Sequence, residues 1–337
     1  MNRPIVALIL AGGTGTRLYP ASRSDRPKQF QSFGGDQSLL AETVDRAAFA
    51  DETYVLTREA FADEIRGHAP SAAVLTEPAP KDTGPALVYG THRIREQVGD
   101  CVLLVLPSDH VVGDGFRPVA EHAARVAVET EGLLTMGVEP TRAETGYGYV
   151  EPDERRVTDA GDAYETVATF HEKPEEATAR EYVDRGYYWN AGMFTWTPET
   201  LLSAARDSPL EPLVAALDRG DPAGGFEAIE PVSVDYAILE RADDVTVVPA
   251  DFDWDDLGAW DALARYLPTD GGGNAVLGDA STIDAAGNVV ATDGHVSLVG
   301  VSDLVVASFG DRTLVVPVDE AQRVREVVAR LREQDAF

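Results

Sequence analysis

Compact apolar runs at residues 5–10, 53–56, 73–75, 102–106 and 133–137 alternate with longer segments at 39–49, 59–67, 85–97 and 119–130. The runs read as buried strands and the intervening segments as helices. That alternation predicts an α/β fold: a Rossmann-like, mixed and mostly parallel sheet with helices on both faces. Ligands of such sheets sit at the carboxyl ends of the strands, so the loops that follow them are the first place to look for chemistry. After Pro140 the pattern changes. Strands at 167–170 and 189–196 and helical segments at 198–205 and 210–217 suggest a substrate subdomain on the same sheet. Segments 235–241, 246–248 and 260–266 then return the chain to the core. The glycine-rich stretch 268–273 marks a boundary, which gives domains 1–268 and 269–337. The second is β-rich, with short strands, Gly and Asp turns, and a closing helix at 320–333.

Charge changes this picture in one respect. The 337 residues carry 58 acidic and 28 basic side chains, a formal charge of -30. Only three of the basic residues are lysines, Lys28, Lys81 and Lys173. So acidic a chain is a poor match for nucleic acid or an anionic membrane, and no apolar stretch is long enough to span a bilayer. A soluble cytoplasmic protein with an acidic surface adapted to high salt, as in haloarchaeal proteins, is the expectation. The single cysteine, Cys101, excludes an intramolecular disulfide and a Cys-clustered zinc site.

The strongest chemical signal follows the first strand: Leu10-Ala11-Gly12-Gly13-Thr14-Gly15-Thr16-Arg17. Three glycines in four positions let successive backbone N–H groups face a phosphate chain without Cβ interference. Arg17 and Lys28 could add cations. The loop is not a Walker A motif, which needs Gly-Lys-Ser/Thr, and Leu18 stands where a dinucleotide fingerprint has its third glycine. Taken alone, the segment could also be a surface turn.

The string LAGGTGTRLYPASRSDRPKQF resembles the signature of the sugar-1-phosphate nucleotidylyltransferases, and most closely that of their mannose-1-phosphate guanylyltransferase branch. EPAPKDTGPAL (77–87), VLPSDH (105–110), TGYGYV (145–150), FHEKP (170–174), YYWNAGMF (187–194), SVDYAILE (233–240) and DWDDLGAWDAL (253–263) follow in the family's order. The resemblance implies GTP and mannose-1-phosphate as substrates and a divalent cation, Mg²⁺ or another, as cofactor; the alternatives are another hexose-1-phosphate or nucleoside triphosphate, or a non-catalytic regulatory subunit of the same fold. It also implies a small β-helix-like C-terminal segment that can form a homodimer contact. With 337 residues, the expectation is a chain without an appended isomerase domain after residue 270.

Nucleotidyl transfer asks little of acid–base chemistry. A phosphate monoester with a second pKa of about 6 is already nucleophilic at neutral pH. The demand is for cations against the crowded phosphates and for in-line positioning. Asp109 ends a buried apolar run and reads as a metal carboxylate or a helix N-cap. Between Asp255 and Asp256 the residues alone do not choose, and the resemblance selects Asp256 as the second metal ligand. Arg17, Lys28, Asp109 and Lys173 are the catalytic candidates. The resemblance implies nucleotide contacts from residues 10–17, Lys28, Lys81, Asp82, Thr83, Ser108 and Asp109. For the sugar phosphate it implies Gly146, Tyr147, Gly148, Glu172, Lys173, Asn190 and Gly192. Lys81-Asp82 departs from the family's usual Arg-Asn. Ionised Asp82 can only accept hydrogen bonds, which suits the donor edge of guanine but not a nearby triphosphate.

Overall fold

A computed structural model describes residues 3–334 and Phe337. The chain forms two compact units, and neither is one continuous stretch. The first comprises the chain through Gly12, Thr43–Pro107 and Val112–Trp254. The second comprises Gly13–Glu42, Ser108–Val111 and everything from Asp255.

In the first unit nine strands make one sheet: β1 (Ile5–Leu10), β2 (Glu52–Arg58), β3 (Ala73–Glu77), β4 (Val102–Pro107), β5 (Leu133–Val138), β6 (Tyr149–Val157), β7 (Ala163–His171), β8 (Tyr188–Trp196) and β9 (Val245–Ala250). Their order is β3-β2-β1-β4-β8-β5-β9-β7-β6. β1 pairs in parallel with β2 and β4, β2 with β3, and β5 with β9. Residues 6–9 and 102–105 are wholly buried, as central strands covered on both faces must be. A continuous apolar core runs from Leu8 and Leu103 to Trp196 and Phe226. The alternation of runs and helices therefore reports the sheet correctly.

Two features of this sheet were not legible in that alternation. β8 runs antiparallel between β4 and β5, which brings its first residues to the rim where β5 ends: Trp189 pairs with Val138 and Asn190 with Gly137. The strand expected at 167–170 is the end of the longer β7, whose hairpin partner β6 went unrecognised. The outer half of that hairpin is exposed, so its sequence carries little apolar alternation. Register then places Tyr149 opposite both His171 and Trp189. Gly148, Glu172 and Asn190 thus lie together on one rim.

The second unit is built on a β-helix-like sheet of β10 (Ala275–Ile283), β11 (Val289–Val299), β12 (Leu304–Phe309) and β13 (Arg312–Pro317). The first three pair in parallel and β13 closes the sheet antiparallel. Parallel strands joined by turns too short for a crossover helix leave buried polar groups at the corners, and two asparagines satisfy them. Asn274 accepts from the Asn288 amide at 2.8 Å. Asn288 in turn donates to the Val301 carbonyl at 3.1 Å and accepts from the Leu304 N–H at 3.0 Å. Leu18, Trp260, Val289, Val305 and Val328 share the core of this unit. The Trp260 indole donates to the Tyr19 carbonyl at 2.9 Å. Among the described residues no helix is long and apolar enough to cross a membrane.

Candidate active site

In the second unit four of the expected residues converge. Lys28 opens a short 3₁₀ turn (Lys28–Phe30) and its side chain is 3% exposed. Its ammonium donates to Asp109 Oδ2 at 3.0 Å and to the backbone carbonyl of Asp256. Arg17 Nη2 stands 3.7 Å from Asp256 Oδ2. Burial opposes ionisation of Asp109, but Lys28, His110 and Arg17 outweigh it and hold its pKa below the usual carboxylate value. One ammonium therefore ties together the two residues expected to hold a metal. Neighbouring Asp255 turns elsewhere, accepting from the Leu257 N–H at 2.8 Å and from Arg265 at 3.4 Å.

The glycine loop lies in the same unit. Gly15 takes φ +63°, and a Cβ there would meet Lys28 Cβ at 2.4 Å, so the loop's close approach to the lysine stem requires glycine. The Gly13 carbonyl accepts from Gln29 Nε2 at 3.0 Å, and the Gly15 carbonyl from Leu18 N–H at 3.2 Å. The backbone N–H groups of Gly13, Thr14, Gly15 and Thr16 donate to none of the described residues. Amides left open in this way beside a buried ammonium make an anion-binding concavity.

In the first unit the rim built by β6, β7 and β8 carries a second group. Glu172, 10% exposed, accepts from the Lys173 ammonium. A Cβ on Gly148 would meet Glu172 Oε2 at 2.7 Å, so the glycine leaves room for that carboxylate. Lys173 adopts φ +45°, and its N–H bonds the Tyr147 carbonyl at 3.2 Å. Tyr147 packs edge-on against Trp189 and Trp254 with ring centroids 5.3 and 4.9 Å away. The Gly146 N–H is taken by Glu144 Oε1 at 3.1 Å. Asn190 Oδ1 accepts from Thr135 Oγ1 at 2.9 Å and from Gly192 N–H at 3.1 Å, and Nδ2 donates to Asp235 Oδ1 at 3.1 Å.

Lys81, Asp82 and Thr83 have partners within the protein. Lys81 Nζ donates to the Ile229 carbonyl at 2.6 Å, Asp82 caps the helix Thr83–Val98 through the Thr83 N–H at 2.7 Å, and Thr83 Oγ1 accepts from the Val234 N–H at 3.0 Å. Leu10 ends β1, the Ala11 carbonyl accepts from Thr57 Oγ1 at 2.9 Å, and Ser108 is buried. Two carboxylates absent from the expected set stand on the first unit's rim. Glu77 ends β3 with Oε1 3.2 Å from where a Cβ on Gly12 would lie. Its Oε2 is buried without a hydrogen-bond partner among the described residues, and burial, only partly offset by Arg58, pushes its pKa up to about 7. Asp235 begins a π-helical turn (Asp235–Leu239). Both fall inside the collinear motifs, but nothing in their spacing separates them from the many surface acids.

Comparison with known proteins agrees with this geometry. Residues 6–270 match the model of the nucleotidyl transferase family, and residues 278–331 that of the MannoseP isomerase/GMP-like beta-helix domain. The chain is 36% identical to the xanthan biosynthesis protein XanB of Xanthomonas campestris, with 97% of this chain and 73% of that protein aligned. It is 35% identical to the mannose-1-phosphate guanylyltransferase of Escherichia coli, over 98% and 74% of the two chains. A crystal structure from Thermus thermophilus, named mannose-1-phosphate geranyltransferase, superposes with a TM-score of 0.90 at 38% identity, covering 98% of this chain and 99% of that one. With that match over residues 6–270 and these relatives, the chain belongs to the nucleotidyl transferase family.

Proposed function

We propose that this chain transfers a guanylyl group from GTP to mannose-1-phosphate, giving GDP-mannose and pyrophosphate. The observation that carries the reading is the pairing of four open loop amides with the buried Lys28, a built receptor for a polyphosphate. A phosphate oxygen of the sugar phosphate attacks the α-phosphorus as the bond to the bridging oxygen breaks, and pyrophosphate leaves with that electron pair. The sugar phosphate arrives deprotonated, so no side chain needs to remove a proton. Lys28, Arg17 and the loop amides neutralise the triphosphate. Lys173 takes the charge of the sugar phosphate, and Glu172 accepts from ring hydroxyls.

The donor set suits a hard divalent cation. The Lys28 ammonium bonds the Asp109 carboxylate and the backbone carbonyl of Asp256, which leaves the Asp256 carboxylate near Arg17, and the described residues hold no group of three or more His, Cys, Asp or Glu that could bind a metal without phosphate oxygens. Mg²⁺ binds in this manner, through one or two carboxylates with water and phosphate oxygens completing the shell. When bound it supplies charge neutralisation at the reacting phosphate.

For the base, Asp82 spends its carboxylate on a helix cap, so GTP as donor rests on the family and its relatives. The names of the Escherichia coli and Klebsiella pneumoniae relatives point to it. The same proposal includes a cytoplasmic location, the division of the chain at 268/269, a homodimer contact through the C-terminal sheet, and an acidic surface adapted to high salt.

The test is a matrix of four nucleoside triphosphates against mannose-1-phosphate and glucose-1-phosphate, read as pyrophosphate release with Mg²⁺. GTP with mannose-1-phosphate is expected to lead. A higher rate with another pair would replace the substrates, and no release from any pair would remove the enzymatic reading.

A further inference from the structure

Asn190 is the residue of the β8 rim whose chemistry suggests a sugar contact, yet its hydrogen bonds go mostly to the protein. Both acceptor positions of its Oδ1 are filled, by Thr135 and Gly192, and one of its two N–H donors goes to Asp235. An amide in that condition offers a ligand a single N–H. Asp235 is the opposite case. Among the described side chains Asn190 alone donates to its carboxylate, through Oδ1, and the only other donor recorded there is its own backbone N–H. Asp235 is only partly buried, so its carboxylate is not sealed inside the core.

The surroundings of Asp235 mark it as held for a purpose. Burial, reinforced by the charge of Glu172, raises its pKa to about 6, and Lys173 works in the other direction. It therefore shares its electrostatic environment with the two residues assigned to the hexose phosphate. It sits at the first position of a π-helical turn, a costly local geometry that recurs at functional sites. Val234, the residue before it, is pinned by Thr83, so the carboxylate is set on a fixed backbone.

We propose that Asp235 is a specificity-determining residue of the sugar subsite: its carboxylate, rather than the Asn190 amide, accepts the hydrogen bond of a hexose hydroxyl. Asn190 is then a positioning residue that orients the carboxylate through Nδ2, with its own orientation fixed by Thr135 and Gly192. The inference rests on the sugar-phosphate reading of Glu172 and Lys173 given above.

A cycle between enzyme and substrate tests it. Wild type, Asp235→Ala and the isosteric Asp235→Asn are assayed with mannose-1-phosphate and its 2-, 3-, 4- and 6-deoxy analogues, with melting temperature followed throughout. Loss of a hydroxyl that meets a built acceptor is expected to lower wild-type kcat/KM about 10- to 100-fold for one analogue. Asp235→Ala should lose a similar factor on the parent sugar through KM, keep its KM for GTP within about twofold, and be indifferent to that same deoxygenation. Equal losses across all five substrates, or an unchanged parent KM, would overturn the assignment. Should Asp235→Ala not fold, the same reading is taken from Asp235→Asn, where the deoxy penalty must shrink. Wild type inactive with every hexose phosphate would instead bring down the function proposed above, and this inference with it.

Discussion

Replacing Lys28 by Met keeps most of the stem and removes the charge. In the native protein the ammonium is 3% exposed and lies 3.0 Å from Asp109 Oδ2, while the aspartate side chain is 34% exposed. Removing one member of a fully buried pair costs about 3–5 kcal/mol, because the partner is left uncompensated. Asp109 keeps partial access to water, and screening brings the expected loss to about 1–3 kcal/mol. Arg17 cannot take over: its guanidinium is 41% exposed and 3.7 Å from Asp256, a geometry worth little to folding. Activity should fall further than stability. Withdrawing one preorganised positive group from a charge-developing site lowers kcat by about 10²–10³-fold. Urea unfolding at pH 7 gives the first quantity and pyrophosphate release the second. The decisive comparison is the double variant Lys28→Met/Asp109→Asn. With both charges gone no buried ion is stranded, so the double variant should be no less stable than Lys28→Met alone. A double variant destabilised by the sum of the two single changes would refute the coupling. A Lys28→Met enzyme with kcat within twofold of wild type would remove the lysine from the mechanism.

Glu77→Gln tests the buried carboxyl at the end of β3. Its pKa, raised in the folded state from 4.5 to about 7, means that the folded protein holds the proton more tightly than the unfolded chain. Stability from this group is full below pH about 4.5 and is lost as pH rises through 7. The glutamine variant should therefore gain about 1–2 kcal/mol on wild type between pH 5 and pH 8 after allowance for partial exposure. An identical difference in urea midpoint at both pH values would contradict the burial argument. Asn288→Ala removes the corner of the C-terminal sheet and strands the Leu304 N–H, while the Val301 carbonyl keeps the Ala286 N–H and Asn274 Oδ1 keeps the backbone N–H of residue 288. At about 1–3 kcal/mol for an unsatisfied buried group, a loss of about 1–3 kcal/mol is expected. Limited proteolysis should then open residues 270–310 first, and a loss below 1 kcal/mol would mean that water replaces the amide.

The sequence by itself determined the strands of the central sheet, because a strand covered on both faces must be apolar along its length, as residues 6–9 and 102–105 are. It also marked residues 10–17 as a candidate phosphate loop, although three glycines in four positions fit a surface turn as well. Family resemblance added Lys28, Asp109 and Asp256, which do converge, and Glu172 and Lys173, which stand together on a separate unit. Between Asp255 and Asp256 the residues alone did not choose and the resemblance did; the structure adds that Asp255 accepts from the Leu257 N–H and Arg265, whereas Asp256 accepts from the Gly258 N–H. The fold alone also separated Asp82, a helix cap, from Glu77, an unpartnered acceptor, and revealed that the amide of Asn190 is mostly spent inside the protein. Whether a polar atom is satisfied depends on neighbours from distant parts of the chain, such as Thr135 and Asp235 around Asn190. In a protein with 58 acids, local pattern cannot say which carboxylates those neighbours leave open.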